Sequence, residues 1–209
     1  MVDETPALKR RLGAARIRLT LGVGVCAAAG ATLAQPYVAT GQCRAGVPHG
    51  GYELRMPDGR LRAVGAFSEG RKTGTFIFWT SGGARIAVIP FDNDMRTGTV
   101  ALWYTAPDGR SESGHKLEAP YVDDRPHGIK RSWYADGAPR AEYRYEHGDL
   151  VEAMAWTERG GALTEAEARD LAAHDAESDD RYLASLLGIV RDNLPACEPA
   201  PPNGQPPRS

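Results

Sequence analysis

Several signatures of catalysis and of nucleic-acid binding are missing from this 209-residue chain. It has no Gly-x-Ser-x-Gly elbow, and none of its five histidines stands at a His-x-x-x-His spacing, so neither a hydrolase nucleophile nor a helical zinc site is indicated. His49 and His127 occupy equivalent turn positions and are expected far apart, with His147 in another turn. Asp123-Asp124 and Asp179-Asp180 lack the alternating oxygen ligands of a calcium loop and read as a turn and a helix start. Charge of one sign is nowhere concentrated: 25 Lys+Arg against 27 Asp+Glu give a net charge of -2, without the basic footprint that nucleic acid requires. Aromatics are scarce at 8%, whereas Gly (24) and Pro (15) are plentiful. That balance disfavours a helical bundle and suits short strands joined by many turns. No enzyme activity, cofactor or metal is expected.

Long uncharged stretches are also rare, and the one that occurs is N-terminal. Lys9, Arg10, Arg11, Arg16 and Arg18 precede a charge-free run that lasts from Leu19 to Arg44. Its apolar part, Leu19 to Ala34, is rich in Ala and Gly and ends in small residues at Ala29-Gly30-Ala31 and Thr32-Leu33-Ala34. This is the pattern of a secretory signal, short for a spanning helix; an uncleaved anchor and a plain N-terminal helix are the alternatives. Val25 before Cys26 argues against lipidation, and Gly13-Ala14 after Arg10-Arg11 argues against a twin-arginine signal. Cleavage after Ala34 would leave 20 basic and 25 acidic residues. It would also leave two cysteines, Cys43 and Cys197, which an oxidising compartment would pair; two free thiols are the alternative. A disulfide closing so long a loop adds at most roughly 5 kcal/mol.

The middle of the chain repeats itself. Gly50, Gly74, Gly98 and Gly128 are separated by 24, 24 and 30 residues. Gly59, Gly83 and Gly137 follow nine residues after three of them, and Gly109 is displaced by two. Trp79, Trp103 and Trp133 stand five residues after their glycines; Phe67, Phe91 and Tyr145 stand seventeen after theirs, as does Tyr121 once six inserted residues are allowed for. Runs such as Thr75-Phe76-Ile77-Phe78-Trp79-Thr80 favour strands. The turns Pro57-Asp58-Gly59, Ser81-Gly82-Gly83, Ala135-Asp136-Gly137 and His147-Gly148-Asp149 tolerate the positive φ that tight hairpins demand. About five such hairpins, edge to edge, give an elongated single-layer antiparallel meander, a mainly β fold.

These columns resemble the MORN-repeat variant family, whose units run from a glycine through an aromatic two later and an aromatic pair at five and six to a turn ending in glycine. The fourth unit matches best, from Asp124-Arg125-Pro126-His127-Gly128 through Ser132-Trp133-Tyr134-Ala135-Asp136-Gly137. The third supplies Gly98 with Trp103-Tyr104, and the second Gly74 with Phe76 and Trp79. Arg55 and Met56 depart from the pattern in the first unit, and Lys130 departs in the fourth. The resemblance implies a hairpin-repeat fold and no catalytic residues. Some bacterial members are described as antitoxins that bind a toxin; others are associated with membranes or scaffolds.

Alternation places Phe76, Phe78, Val100 and Leu102 on one side of the sheet and Trp79 and Trp103 on the other, so at least one face needs a cover. Thr164-Glu165-Ala166-Glu167 is a capping box opening one helix. Ser178 or Asp179 is the expected cap of a second, which carries Leu183, Leu186, Leu187, Val190 and Leu194 and stops at Pro195. Helices of about 11 and 16 residues span about 40 Å, close to the roughly 45 Å of five hairpins. Two C-terminal helices are therefore expected to pack on or cap the sheet and return Cys197 to Cys43. The chain divides into a signal peptide or anchor over 1–34, a linker with Cys43 over 35–45, repeats over 46–163, helices over 164–194 and a disordered Pro-rich tail over 195–209.

The tryptophan row Trp79, Trp103 and Trp133, with Tyr104 and Tyr134, is either a partner-binding strip or the core beneath the helices. The sequence thus points to a periplasmic or secreted module that binds another protein, with a toxin as the partner that the resemblance implies. A scaffold of the cell envelope, tethered through an uncleaved N-terminal segment, is the alternative. Nucleic acid is not an expected partner, and membrane contact is expected only through that segment.

Overall fold

The computed structural model describes residues 37–198. The expected signal or anchor segment and the tail from residue 199 onward lie outside the described residues. Runs of β-branched, aromatic and alternating residues form twelve strands: β1 (Val38–Arg44), β2 (Val47–Arg55), β3 (Leu61–Ser68), β4 (Arg71–Trp79), β5 (Arg85–Asp92), β6 (Met95–Arg96), β7 (Gly98–Thr105), β8 (Glu112–Val122), β9 (Arg125–Pro126), β10 (Gly128–Trp133), β11 (Pro139–Glu146) and β12 (Asp149–Ala155). All pair antiparallel in one open sheet, with β6 and β9 as short branches on β5 and β8. One helix follows, α1 (Glu165–Arg191). Residues 38–44, expected as part of a linker, are the first edge strand, because Ala39 packs against the core and Cys43 is tied to the C-terminal segment.

Turn chemistry sets the strand boundaries. The short strands β6 and β9 end where Gly98 (φ 117°) and Gly128 (φ 103°) take up conformations that strain other residues. A Cβ at Gly98 would stand 3.0 Å from Pro90 Cγ, and one at Gly128 would stand 3.2 Å from Pro120 Cγ. The turns on that side are stapled to one another through the backbone. Gly70, Asp94, Asp124 and Gly148 donate their N–H groups to the carbonyls of Pro48, Lys72, Arg96 and Pro126, at 2.9, 2.9, 3.0 and 2.9 Å.

A second recurring feature reorients side chains. Register shifts occur at Leu54/Arg55, Phe78/Trp79, Leu102/Trp103 and Ser132/Trp133. The partner strands accommodate them with one extra residue each: Arg62, Ile86, Lys116 and Arg140. An extra residue breaks the two-residue alternation and re-aims its side chain. Ile86 enters the core, Arg140 reaches α1, and the Lys116 ammonium lies 5.3 Å from the ring centre of Tyr182 on α1.

The core lies between one face of the sheet and α1. Tyr52, Phe67, Phe76 and Phe91 meet edge to face, with centroids 5.5 to 5.6 Å apart, an arrangement that adds to the burial of each ring. Leu183, Leu186 and Val190 of α1 pack on this group. Ala168 and Ala172, nearer the helix start, pack on Ala141, Tyr143, Tyr145, Ala153 and Ala155.

The helical segment differs from expectation: the structure has one 27-residue helix where two were expected. Thr164 and Glu167 form the predicted capping box, but Ser178 and Asp179 lie mid-helix. Asp and Ser disfavour helix interiors by only a few tenths of a kcal/mol each, and the sheet supplies a partner for each carboxylate. Asp175 accepts hydrogen bonds from Arg140 at 2.6 and 2.8 Å and from Tyr143 at 3.0 Å. Asp179 accepts from Lys130 at 2.6 Å, and Asp180 from Arg96 at 2.9 Å. Asp179-Asp180 is therefore a clamp, whereas Asp123-Asp124 is the expected turn, with φ of 49° and 64°.

At about 1.5 Å per residue, α1 spans about 40 Å. Its packing begins at β12 and runs back across the sheet, and just beyond its end Tyr52 of β2 donates to the Asn193 carbonyl at 2.8 Å. Cys43 and Cys197 then meet at bonding distance, with Cα atoms 5.6 Å apart. Both sheet edges are partly occupied. Pro195 lies against Gly41 at one end, while Arg169 and Leu163 donate to the β12 carbonyls of Val151 and Ala155, at 3.1 and 2.9 Å. Occupied edges hinder unwanted strand pairing.

Candidate interaction surface

The sheet has two faces and α1 covers one. Among the described residues no other helix exists, so the second face is bare of secondary structure. A single row of register-matched residues crosses it. Val64, Ile77, Val88 and Ala101 stand opposite one another in turn. The row continues through Glu118, Arg131 and Glu142 to Met154. Its first four residues are apolar and half-buried, the next three are charged, and it ends on the exposed Met154.

One pleat nearer the hairpin turns runs the aromatic row. Trp79, Trp103 and Trp133 lie two residues beyond Ile77, Ala101 and Arg131, and so share the bare face. All three are half-buried and none belongs to the buried core, so they are not the floor beneath α1. The rings interleave with residues of the intervening strands. Arg85 lies over Trp103 with its guanidinium carbon 3.9 Å from the ring centre. His115 meets Trp103 at 5.4 Å and Trp133 at 5.9 Å, both edge to face. Glu112 holds Arg85 in place by accepting from its terminal nitrogen at 3.1 Å. Arg85 Nε lies as close to the other carboxylate oxygen, but outside hydrogen-bond geometry. Beyond Trp133 the row opens into a cleft of about 500 Å³ lined by Arg131, Trp133, Pro139, Glu142 and Trp156.

Tyr104 and Tyr134 do not extend this strip. Each follows a tryptophan and turns away from the bare face, and its hydroxyl ties adjacent hairpins together. Tyr104 donates to the Trp133 carbonyl at 3.0 Å, and Tyr134 donates to the Trp156 carbonyl at 2.7 Å. Burial holds the Tyr104 hydroxyl above the usual tyrosine range. Sequence reasoning missed Arg85, His115 and Trp156, which complete the row; the first two face tryptophans on neighbouring strands only because of the register shifts.

The histidines are also rearranged. His127 and His147, expected in separate turns, lie side by side with ring centres 4.9 Å apart and planes tilted by 45°, because neighbouring turns are stapled together. His127 Nδ1 accepts from the His147 N–H at 3.3 Å. No group of three or more metal-ligating side chains occurs among the described residues. None of their helices is long and apolar enough to cross a membrane.

No family model and no curated protein matches the chain.

Proposed function

We propose that this protein is a non-enzymatic, exported protein-binding module built from about five MORN-like hairpin repeats, whose bare sheet face docks a partner protein. The observation that carries this reading is the asymmetry of the sheet. One face is closed by α1, while the other keeps an apolar row and a tryptophan ladder that no element among the described residues covers. Apolar and aromatic surface of this kind, bordered by arginine and acid pairs, has the composition of an interface core with a polar rim. The stapled turns and the four register shifts, recurring with the glycine spacing, support the repeat reading. A disulfide between the ends of the described chain supports maturation in an oxidising compartment, periplasmic or extracellular. A toxin in an immunity pair is the partner class favoured by the family resemblance.

The test is affinity capture from the envelope and secreted fractions of the native host, using wild type, Trp103→Ala, Val64→Lys and Asp170→Lys. The first two substitutions alter the bare face; Asp170 is exposed on α1. The reading expects a partner retained by wild type and Asp170→Lys and lost by the two face variants, with all four folded by circular dichroism. Retention by both face variants, or unfolding of Trp103→Ala, overturns it.

A further inference from the structure

The seam between α1 and the sheet contains a cavity of about 250 Å³, lined chiefly by polar side chains. Tyr104, Lys116 and Arg140 reach it from the sheet, and His174, Ser178 and Asp179 reach it from α1. We propose that this cavity binds a small oxyanion, a carboxylate or phosphoryl group, with Lys116 as its counter-charge.

The register shifts shape the cavity wall. They turn Arg62, Lys116 and Arg140 toward the helix side, where a cation needs a partner. Arg140 has one, since Asp175 takes both its terminal nitrogens. Lys130, beside the cavity, also has one in Asp179. Lys116 has none: among the described residues its ammonium makes no hydrogen bond or ion pair. It lies 5.9 Å from the ring centre of Tyr104 and 5.3 Å from that of Tyr182. Of the two cations that line the cavity, Arg140 and Lys116, only Lys116 lacks a carboxylate, because Asp175 is taken by Arg140 and Asp179 by Lys130 beside the cavity. A cation as ligand is disfavoured, because both carboxylates are already engaged by arginine or lysine.

The rim supplies donors for an anion. His174 and Ser178 are four residues apart on one helical face, and Ser178 donates to no protein acceptor among the described residues. The Tyr104 hydroxyl already donates to the Trp133 carbonyl, so it offers the ligand an acceptor only. One ammonium with a hydroxyl and an imidazole suits a single oxyanion group better than a flat apolar ligand.

Titration of the full chain with inorganic phosphate, and separately with acetate, at ionic strength held constant with sodium chloride, tests this by amide and imidazole NMR. The expected result is a saturable shift of the Ser178 amide and the His174 ring. Binding should be at least tenfold weaker in Lys116→Met, retained in Lys116→Arg, and severalfold weaker in Ser178→Ala, a substitution at an exposed position of α1. Tighter binding of phosphate supports a phosphoryl ligand, and tighter binding of acetate supports a carboxylate. No saturable shift in wild type overturns the proposal. So does binding as tight as wild type in both Lys116→Met and Ser178→Ala, which would make the anion an adventitious ion only. Because the site lies on the face opposite the tryptophan ladder, failure here leaves the docking reading intact, and the reverse also holds.

Discussion

Replacing Asp175 by alanine tests whether α1 is held by its carboxylates or by its leucines. The Asp175 side chain is about 10% exposed and the Arg140 side chain about 25%. Removing one partner of a buried ion pair costs roughly 3–5 kcal/mol, mostly because the other charge is left uncompensated. Water reaches the freed guanidinium at its exposed fraction, which lowers the expected loss to about 2–3 kcal/mol. A further component falls on Tyr143, fully buried, whose hydroxyl loses its acceptor. Burial, with the nearby Asp175 charge second, already holds that hydroxyl far above its usual range, so ionisation offers it no escape. For a domain of this size, each kcal/mol moves the thermal midpoint by roughly 2–4 °C, so Asp175→Ala should melt about 4–12 °C lower. Adding Tyr143→Phe should recover about 1 kcal/mol by removing the stranded hydroxyl. The apolar pair Arg140→Met with Asp175→Leu should lie within about 1 kcal/mol of wild type. Urea unfolding with the disulfide intact measures all four. A loss below about 0.5 kcal/mol for Asp175→Ala, or no recovery with Tyr143→Phe, would show that the clamp is incidental.

Two further outcomes follow from the core. Gly65→Ala should destabilise strongly, by about 2–3 kcal/mol in urea, since a Cβ there would overlap the fully buried Phe76 ring; a change within about 0.5 kcal/mol would show that the ring can swing aside. Burial raises Tyr52 and Tyr121 from 10.0 to about 12, so the folded state holds these protons more tightly than the unfolded state. Their contribution is complete below about pH 10 and is lost as pH rises through about 12. The urea midpoint should therefore fall steadily across that window while tyrosinate absorbance appears together with unfolding. Gradual ionisation with an unchanged midpoint would contradict the burial.

Much of this architecture can be read from turn residues. Asp-Gly and Gly-Gly pairs locate the tight hairpins, and the alternation about Phe76 and Trp79 places their side chains on opposite faces. Matching the length of the helical segment to the width of the sheet anticipates the meeting of Cys43 and Cys197. The extra residues on returning strands are harder to see. Nothing in the composition around Arg62, Ile86, Lys116 or Arg140 announces a register shift, and each shift re-aims a side chain against the simple alternation. Tyr104 and Tyr134 are misplaced by sequence reasoning for a related reason: they sit where strands leave the pleat and their hydroxyls seek carbonyls of the next hairpin. The second helix fails because Ser178-Asp179-Asp180 carries a cap's composition but faces cations that sequence distance conceals.

Lys130 connects these two failures. It stands two residues after its turn glycine, where the other hairpins have Tyr52, Phe76 and Val100, all buried and apolar. Lys130 is equally buried, at 5% exposure, and is tolerable there only because Asp179 arrives from α1. The sheet face thus changes from apolar to ionic where the helix changes from leucine-rich to aspartate-rich. Sliding α1 by one turn, about 5.4 Å, would move one of Asp175 and Asp179 into the other's place and leave either Arg140 or Lys130 without an acid, at a cost of several kcal/mol. The leucines alone, being non-directional in their burial, would tolerate such a slip far better. The charged half of the seam therefore fixes the register of α1 and the apolar half supplies most of its attraction. Lys116 sits at the boundary between the two, where the nearby acids of the helix, Asp175 and Asp179, are already held by Arg140 and Lys130, which is why the unpaired charge falls there.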